Sequence, residues 1–510
     1  MSVARTLSIA LTGLEGTVVE VEAQRSLGIP GISIVGLPDA STLQAKDRVR
    51  AACQHAGHPG VGQAKFIVNL TPAWMRKSGS GFDLPVAVAV LQAEGAVPSG
   101  SGEHVVHIGE LSLDGSVLPV PGVLPSLLAA RDAGVRWAVV PDGNADEARL
   151  VAGIEIRAVS HLANVVEMYG GAAVRPPVRE ALPLRTVPAA PAVDAPCFSE
   201  VHGQEQARLA AEVAAAGGHH LSLSGPPGSG KTMIASRIPT ILPELTDEAA
   251  LELAAIRSLT GQFRADGGLE HQPPFVSPHH TSSAAAIIGG GSGVARPGAI
   301  SHAHGGILFL DEAPEFSTRV LESLREPLEQ GEIRLHRSHH VTVYPARFQL
   351  VLASNPCPCG KDFGPKGSCE CTPMAKRRYA ARLSGPIMDR VDMRVSVPPA
   401  KPAGPAAPQP EASADIAERV RAARARQTAR LAGTPYRMNA DLPGPFLQER
   451  MPLTPADDAF LRHLVDRGAL TMRGRDRIQR LAWTLADLHG AERPTDSHVS
   501  TALMLRGDDR

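Results

Sequence analysis

No stretch of this chain is apolar enough to cross a bilayer. The longest such run, Leu84 to Leu91, falls far short of the ~20 residues a spanning helix needs and suits a buried element. Cysteine is scarce, six residues in 510. Arg5 stands near the N-terminus, but no apolar stretch follows it of the length a signal peptide uses. Few cysteines without a secretion signal argue against a disulfide framework. An excess of either charge is missing too. The formal net charge is −1, so no global basic field advertises nucleic acid, and any such surface has to be local. These absences predict a cytoplasmic protein with no membrane partner.

What is present is ordinary globular material, 43% apolar and 20% charged. A chain of 510 residues is too long for one core, and three domains are expected. Ala172 to Pro196 is crowded with Ala, Pro and Val, and Pro398 to Pro410 is again rich in Pro and Ala. Both compositions favour extended backbone. The expected organisation is an N-terminal domain (1–171), a linker (172–196), a central domain (197–398), a second linker (399–412) and a helical C-terminal domain (413–510).

Hydrophobic periodicity gives the coarse elements. Gly16 to Glu22 alternates as a strand does, and Ile32 to Gly36 and Phe66 to Leu70 are short apolar strands. Leu84 to Ala96 reads as a buried helix and Leu124 to Ala133 as an amphipathic one. The central domain opens on the strand Leu221 to Ser224, passes through a Gly-rich turn and enters a helix, the start of a parallel α/β sheet. Ala414 to Ala432 and Arg473 to His489 read as helices.

The Gly-rich turn carries chemistry. Gly225, Pro226, Pro227, Gly228, Ser229, Gly230, Lys231 and Thr232 satisfy the phosphate-loop pattern completely. Glycines let successive backbone N–H groups turn inward around phosphates, aided by the positive end of the following helix. Lys231 would reach the β- and γ-phosphates of ATP, and the Thr232 hydroxyl would ligate Mg2+. A chance Gly-rich turn is the bland alternative, and the flanking strand and helix oppose it. About eighty residues on, Ile307 to Leu310 form a strand that ends in Asp311 and Glu312. Ligand sites of open α/β sheets lie at such strand ends. Asp311 would hold the Mg2+ and Glu312 would polarise the attacking water. A third apolar strand, Phe348 to Ala353, ends in Ser354 and Asn355. The Asn355 amide suits the γ-phosphate or the water, although Asn before Pro also simply starts turns.

This order of motifs resembles the AAA+ ATPases, and longer strings narrow it. Pro278-His279-His280-Thr281, Gly289-Gly290-Gly291, Ala303-His304-Gly305-Gly306, Asn355-Pro356-Cys357-Pro358-Cys359-Gly360, and Leu383-Ser384-Gly385-Pro386 with Asp389-Arg390 look like the YifB/ComM family of the magnesium-chelatase-like branch. One departure is Ala299-Ile300, where relatives usually carry Glu-Ile. The resemblance implies an α/β fold: an AAA+ P-loop parallel sheet core, preceded by an α+β Lon-protease-like domain and followed by a helical lid. It implies that Arg390 is an arginine finger acting in trans, with Arg382 as its rival, and that Arg473 is the lid's sensor arginine. A trans finger implies a ring, by family expectation a homo-hexamer. The Lon likeness runs through Gly109 to Gly115 and Ala129-Ala130-Arg131. A Lon-type protease needs a serine nucleophile and a lysine base. The matching serine position falls at about Phe82 or Asp83 and the lysine position at Leu124, while Ser78 and Ser80 lack a suitably placed lysine. An inactive domain used for assembly or substrate guidance is expected.

Cys357, Cys359, Cys369 and Cys371 enclose a Gly/Lys-rich loop. Four thiolates suit tetrahedral Zn2+, though the C-x-C spacing is tight, and free thiols or a redox pair are the alternatives. Two segments qualify as pore elements, the Gly-rich His280 to Gly298 and a β-hairpin from Glu332 to Ala346 with Arg334, His336, Arg337, His339 and His340 near its tip. Basic residues on a hairpin can track a phosphate backbone. No aromatic is interleaved there, and a solvated hairpin is the alternative. The resulting expectation is an ATP-driven ring motor on single-stranded or branched DNA, a branch-migration helicase or translocase used when incoming DNA recombines in natural transformation. A magnesium-chelatase motor subunit and an ATP-dependent protein remodeller are the rivals. An ATP-dependent protease is opposed by the missing serine–lysine pair.

Overall fold

The computed structural model describes residues 3–174, 196–264, 268–291, 295–337, 341–363, 369–383, 385, 387–399 and 409–507. Most of both expected linkers, the hairpin-tip residues His339 and His340, and Ser384 and Pro386 lie outside the described residues.

The N-terminal region is built on a seven-stranded mixed sheet. Its spatial order is Gly31–Val35, Lys65–Thr71, Glu15–Ser26, Ala4–Thr12, Val105–His107, Trp137–Pro141 and Glu155–Val159. Ala4–Thr12 and Glu15–Ser26 pair antiparallel from Ala4↔Ala23 to Thr12↔Glu15, leaving Gly13 and Leu14 to make the turn. Helix Asp83–Glu94 lies against the sheet, and its Leu-Pro-Val-Ala-Val-Ala-Val-Leu stretch is buried on all sides. It stops at Gly95, whose φ of 90° continues no right-handed helix. The helix expected over Leu124 to Ala133 forms as Val123–Asp132 and is more buried than a simple amphipathic helix. The reason is a second partner, since helix Asp247–Leu259 of the next region packs on its outer side. Gly122 N–H donates to Ser258 O at 3.1 Å and Leu124 N–H to Ser258 Oγ at 3.4 Å, so the two regions share backbone hydrogen bonds.

The central region is a five-stranded sheet in the order Phe275–Val276, Ile307–Leu310, Gln349–Ser354, Leu221–Ser224 and Met393–Ser396, every neighbouring pair parallel. Unbroken apolar runs such as Ile-Leu-Phe-Leu need cover on both faces, which a parallel sheet flanked by helices supplies. Ala-rich helix Glu205–Gly217 packs close to the sheet through Ala207, Ala210, Ala211 and Ala214. The C-terminal helices Ser413–Arg430, Met472–His489 and Asp496–Arg506 share that core through Val420, Leu481, Leu485 and Leu505. The fold is thus a parallel P-loop sheet with a helical lid, preceded by an α+β region.

One charged node ties strand, loop and lid together. Asp392 is 4% exposed. It accepts the His220 N–H at 3.0 Å and lies 3.6 Å from both His219 Nδ1 and Arg477 Nε.

Candidate nucleotide site

The ends of three parallel strands converge. After Leu221–Ser224 the chain enters the glycine-rich loop, and Gly225 N–H donates to Ser354 O at 3.1 Å. A Cβ on Gly225 would stand 2.2 Å from Val397 O, so glycine is required for the close approach. Gly228 and Gly230 hold φ of 75° and 93°, which turns the loop's N–H groups inward. The following helix, Lys231–Arg237, is only seven residues long before Pro239 tightens it into a 3-10 turn. The Ser229 Oγ is buried with no hydrogen-bond partner among the described residues.

Lys231, Thr232, Asp311 and Asn355 are brought into direct contact. Lys231 Nζ donates to Gly225 O at 2.7 Å, Pro226 O at 2.9 Å and Asn355 Oδ1 at 3.3 Å. Burial lowers the pKa of this ammonium, while Asp311 and then Glu312 oppose the shift. Thr232 Oγ1 donates to Asp311 Oδ2 at 2.8 Å. A hydroxyl and a carboxylate side by side are hard oxygen donors of the kind Mg2+ takes, and the inward-facing loop fits a polyphosphate.

Glu312 follows with φ of 49°, left-handed for a residue with a Cβ. Such strain, of order 1–3 kcal/mol, persists where the surroundings over-determine the backbone. Here Glu312 N–H donates to Asp311 Oδ1 at 2.9 Å and Glu315 N–H to Glu312 O at 2.7 Å. The Glu312 carboxylate stands 3.3 Å from His280 Nδ1. His280 in turn stacks on His279 and meets the edge of Phe316. The sequence offered His280 within a longer string and at the start of a candidate pore segment, and gave it no part at this site. Gln204 was missed altogether. It has φ of 54° at the start of helix Glu205–Gly217, and its Nε2 donates to Ser229 O of the phosphate loop at 3.1 Å. Its only signal is a position just before an Ala-rich helix, which nothing local distinguishes.

The arginines stand apart from this cluster. Arg390, in the 3-10 turn Met388–Arg390, pairs with Glu329. Arg382 donates to Glu315 Oε2 at 2.9 Å and Pro314 O at 3.2 Å. Arg473, at the start of the lid helix, is largely exposed and 3.9 Å from Asp389 Oδ2.

Cys357, Cys359, Cys369 and Cys371 come together with their sulfurs all within 4.8 Å of one another. The two segments expected to face a pore pack as one unit. Hairpin strands Glu332–His336 and Val341–Pro345 pair from Glu332↔Pro345 to His336↔Val341, and Tyr344 Oη donates to Ala295 O at 2.5 Å. Arg334 is tied to Glu332 at 2.7 Å, His336 is exposed at the strand end, and Arg337 reaches toward Gly290 of the other segment. The turn at Gly13 leans on Thr342 of the hairpin, a contact no sequence period signals.

At the Lon-like positions, Phe82 and Leu124 are buried in the core. Asp83 is fully buried and doubly bonded to Arg48, at 2.6 and 2.8 Å. Burial raises its pKa and the Arg48 hydrogen bond opposes the shift. Ser80 bonds Glu110, and Lys77 Nζ donates to the carbonyls of Gly36 and Pro72.

Comparison with known proteins places these features in company. Residues 197–404 match the family described as magnesium chelatase, subunit ChlI; residues 21–144 match subunit ChlI of Mg-chelatase; residues 410–506 match its C-terminal family. An uncharacterized protein of Mycobacterium tuberculosis is 46% identical over 506 residues, 99% of each chain. The uncharacterized protein YifB of Escherichia coli is 39% identical, over 98% of this chain and 96% of its own. The competence protein ComM of Haemophilus influenzae is 37% identical, over 99% and 98%. Part of the chain, 31%, also aligns with 21% of the Lon protease of Mycolicibacterium smegmatis at 28% identity.

Proposed function

Because the chain belongs to the YifB/ComM family of magnesium-chelatase-like AAA+ proteins, we propose that it hydrolyses ATP and uses the energy to move a homo-hexameric ring along DNA. The observation that carries the ATPase reading is the joining of Lys231, Thr232, Asp311 and Asn355 at the ends of adjacent parallel strands. Lys231 would exchange its loop carbonyls for the β- and γ-phosphates, and Thr232 with Asp311 would hold Mg2+. The bound ion would neutralise charge developing on the phosphates. Glu312, released from His280, would orient and polarise the attacking water, and Asn355 would hydrogen-bond the γ-phosphate. Arg390 of a neighbouring subunit would stabilise the transferred group, an effect worth about 10³–10⁵ in rate for such fingers. Arg473 would follow the nucleotide from the lid.

The DNA reading rests on the end-to-end likeness to a competence protein together with Arg334, His336 and Arg337 on the hairpin. Branch migration of single-stranded or branched DNA during uptake is the specific activity proposed. The N-terminal domain, with buried aspartate and leucine at the protease positions, would guide substrate or assembly and cleave nothing. A cytoplasmic location agrees with this, and no helix among the described residues is long and apolar enough to cross a membrane. A protein-remodelling motor is the second reading. It is favoured by Leu27 and Ile29, each 88% exposed, and Trp74, 77% exposed, around the edge strand Gly31–Val35 of the N-terminal sheet.

The test is ATPase activity of the purified protein alone, with single-stranded DNA, with forked DNA and with an unfolded polypeptide. Lys231→Ala is the inactive control. Stimulation by forked DNA and strand exchange driven by ATP are expected. Stimulation by polypeptide alone would replace DNA with protein as the substrate, and no hydrolysis under any condition would end the ATPase reading.

A further inference from the structure

We propose that Cys357, Cys359, Cys369 and Cys371 bind one Zn2+ as a tetrathiolate, and that this centre braces the Asn355 wall of the nucleotide site. The first part follows from size and donor type. Four sulfurs at about 2.3 Å from a central zinc stand about 3.8 Å from one another. The Cys357–Cys359, Cys357–Cys369 and Cys359–Cys369 sulfurs stand at 3.4, 3.6 and 3.7 Å. All four sulfurs fall within 4.8 Å, which is room for one ion at their centre. Soft thiolates in a tetrahedron select zinc over the hard cations. Donors that support thiolate charge surround them. Lys361 and Glu370 give backbone N–H bonds to Cys359, and Cys371 gives one to Cys369. Lys376 bonds Cys369 from the next helix and is itself held by Asp362 at 2.5 Å. Such outer partners orient metal ligands and balance the charge of the centre.

The second part follows from where the ligands sit in the chain, and it rests on the ATPase reading above. Cys357 comes two residues after Asn355, whose amide touches Lys231. Gly360, next to Cys359, lies against the phosphate loop so closely that a Cβ there would stand 2.6 Å from Pro227 Cδ. On the other side, Cys371 precedes Thr372, which caps helix Pro373–Arg382 by accepting the Ala375 N–H. That helix places buried Tyr379 so that its oxygen accepts from the Asn355 backbone N–H, and Arg382 so that it donates to Glu315 beyond the acidic strand. Strand end, first cysteine pair, metal, second pair, helix and Tyr379 therefore close a loop on Asn355. The loop's closure depends on the metal joining the two pairs.

Metal analysis of full-length protein, purified reduced without metal-affinity resin or added zinc, should find about one zinc per chain. Cobalt-grown protein should show the strong visible bands of tetrahedral Co(II) with thiolate charge transfer. Cys369→Ser with Cys371→Ser should lose the metal and lower kcat about tenfold or more, with the affinity for a fluorescent ATP analogue nearly unchanged. Tyr379→Phe keeps all four thiols. It should retain zinc and still lower kcat, which separates bracing from loss of fold. Iron in place of zinc, no metal in reduced protein, or six-coordinate cobalt would overturn the zinc site. Unchanged kcat in both the metal-free and Tyr379→Phe proteins would overturn the brace. Metal content and cobalt spectra are read without ATP, so they stand or fall separately from the ATPase reading.

Discussion

Truncating Asp392 should loosen the seam between the P-loop sheet and the lid more than any single change at the nucleotide site. The carboxylate is 4% exposed and serves three buried groups at once, the His220 N–H, His219 and Arg477. Arg477 lies on lid helix Met472–His489, one turn after Arg473. Arg506 of the last helix reaches the same loop, donating to Val391 O at 2.7 Å. Asp392→Ala leaves the Arg477 guanidinium buried without its anion, a loss of about 3–5 kcal/mol, which outweighs the ~1–3 kcal/mol for one orphaned donor. For a unit of about 200 residues, each kcal/mol moves Tm by about 2–4 °C, so the motor-and-lid transition should drop by roughly 6–20 °C. Asp392→Asn keeps an oxygen for the His220 N–H and should lose less, about 1.5–3 kcal/mol for a charged hydrogen bond.

The effect has a pH signature. Burial pushes the Asp392 carboxyl up, but the neighbouring imidazoles of His219 and His220 and the Arg480 guanidinium outweigh it and hold the group well below the usual carboxylate range. A depressed folded value contributes stability that is fully present above the unfolded value of about 3.9 and is lost as pH falls toward the folded one. Wild type and Asp392→Asn should therefore differ in Tm above about pH 5, and the gap should narrow progressively as pH falls below about 4. Thermal melts followed by circular dichroism across that range measure both effects. An Ala variant melting within about 2 °C of wild type, or a gap that persists unchanged in acid, refutes the argument.

Glu312→Gln should bind ATP and hydrolyse it about 10²–10⁴-fold more slowly, the usual worth of a general base, while His280→Ala should raise basal ATPase by freeing Glu312; single-turnover kinetics read both. Arg390→Ala subunits mixed with Lys231→Ala subunits should recover part of the ATPase that each lacks alone, and verified mixed rings without recovery would transfer the finger to Arg382. Arg334→Ala with Arg337→Ala should flatten the salt dependence of single-strand DNA binding by about 1.4 in log–log slope, at ~0.7 per lost phosphate contact. Glu332→Ala should act in the opposite direction, because Glu332 holds Arg334 at 2.7 Å; titration at several salt concentrations measures both.

The phosphate site was legible because its chemistry is local. Wrapping phosphates with backbone N–H groups demands glycines at fixed offsets, and an acid pair at a strand end needs an apolar run before it. The parallel sheet was legible for a related reason, since strands buried on both faces read as unbroken apolar runs such as Ile307 to Leu310. The cysteine cluster was legible as a candidate because four of the six cysteines fall between Cys357 and Cys371, and their sulfurs do come together within 4.8 Å. What stayed hidden is built from common residues brought together across long separations. His219, Asp392 and Arg477 are an ordinary histidine, aspartate and arginine until the sheet and the lid place them 3.6 Å apart. Gln204 and His280 gain their roles only when their neighbours Ser229 and Glu312 arrive. The arginines follow the same logic one level up. Arg382, Arg390 and Arg473 each rest on an acid of their own chain, Glu315, Glu329 and Asp389. Each is held at little cost, because a guanidinium that trades one partly exposed carboxylate for a phosphate loses one charged contact as it gains another. On the proposed reading, an Arg390 finger stored on Glu329 would engage and release a neighbour's nucleotide with small net change in energy, as a motor that resets after every turnover requires.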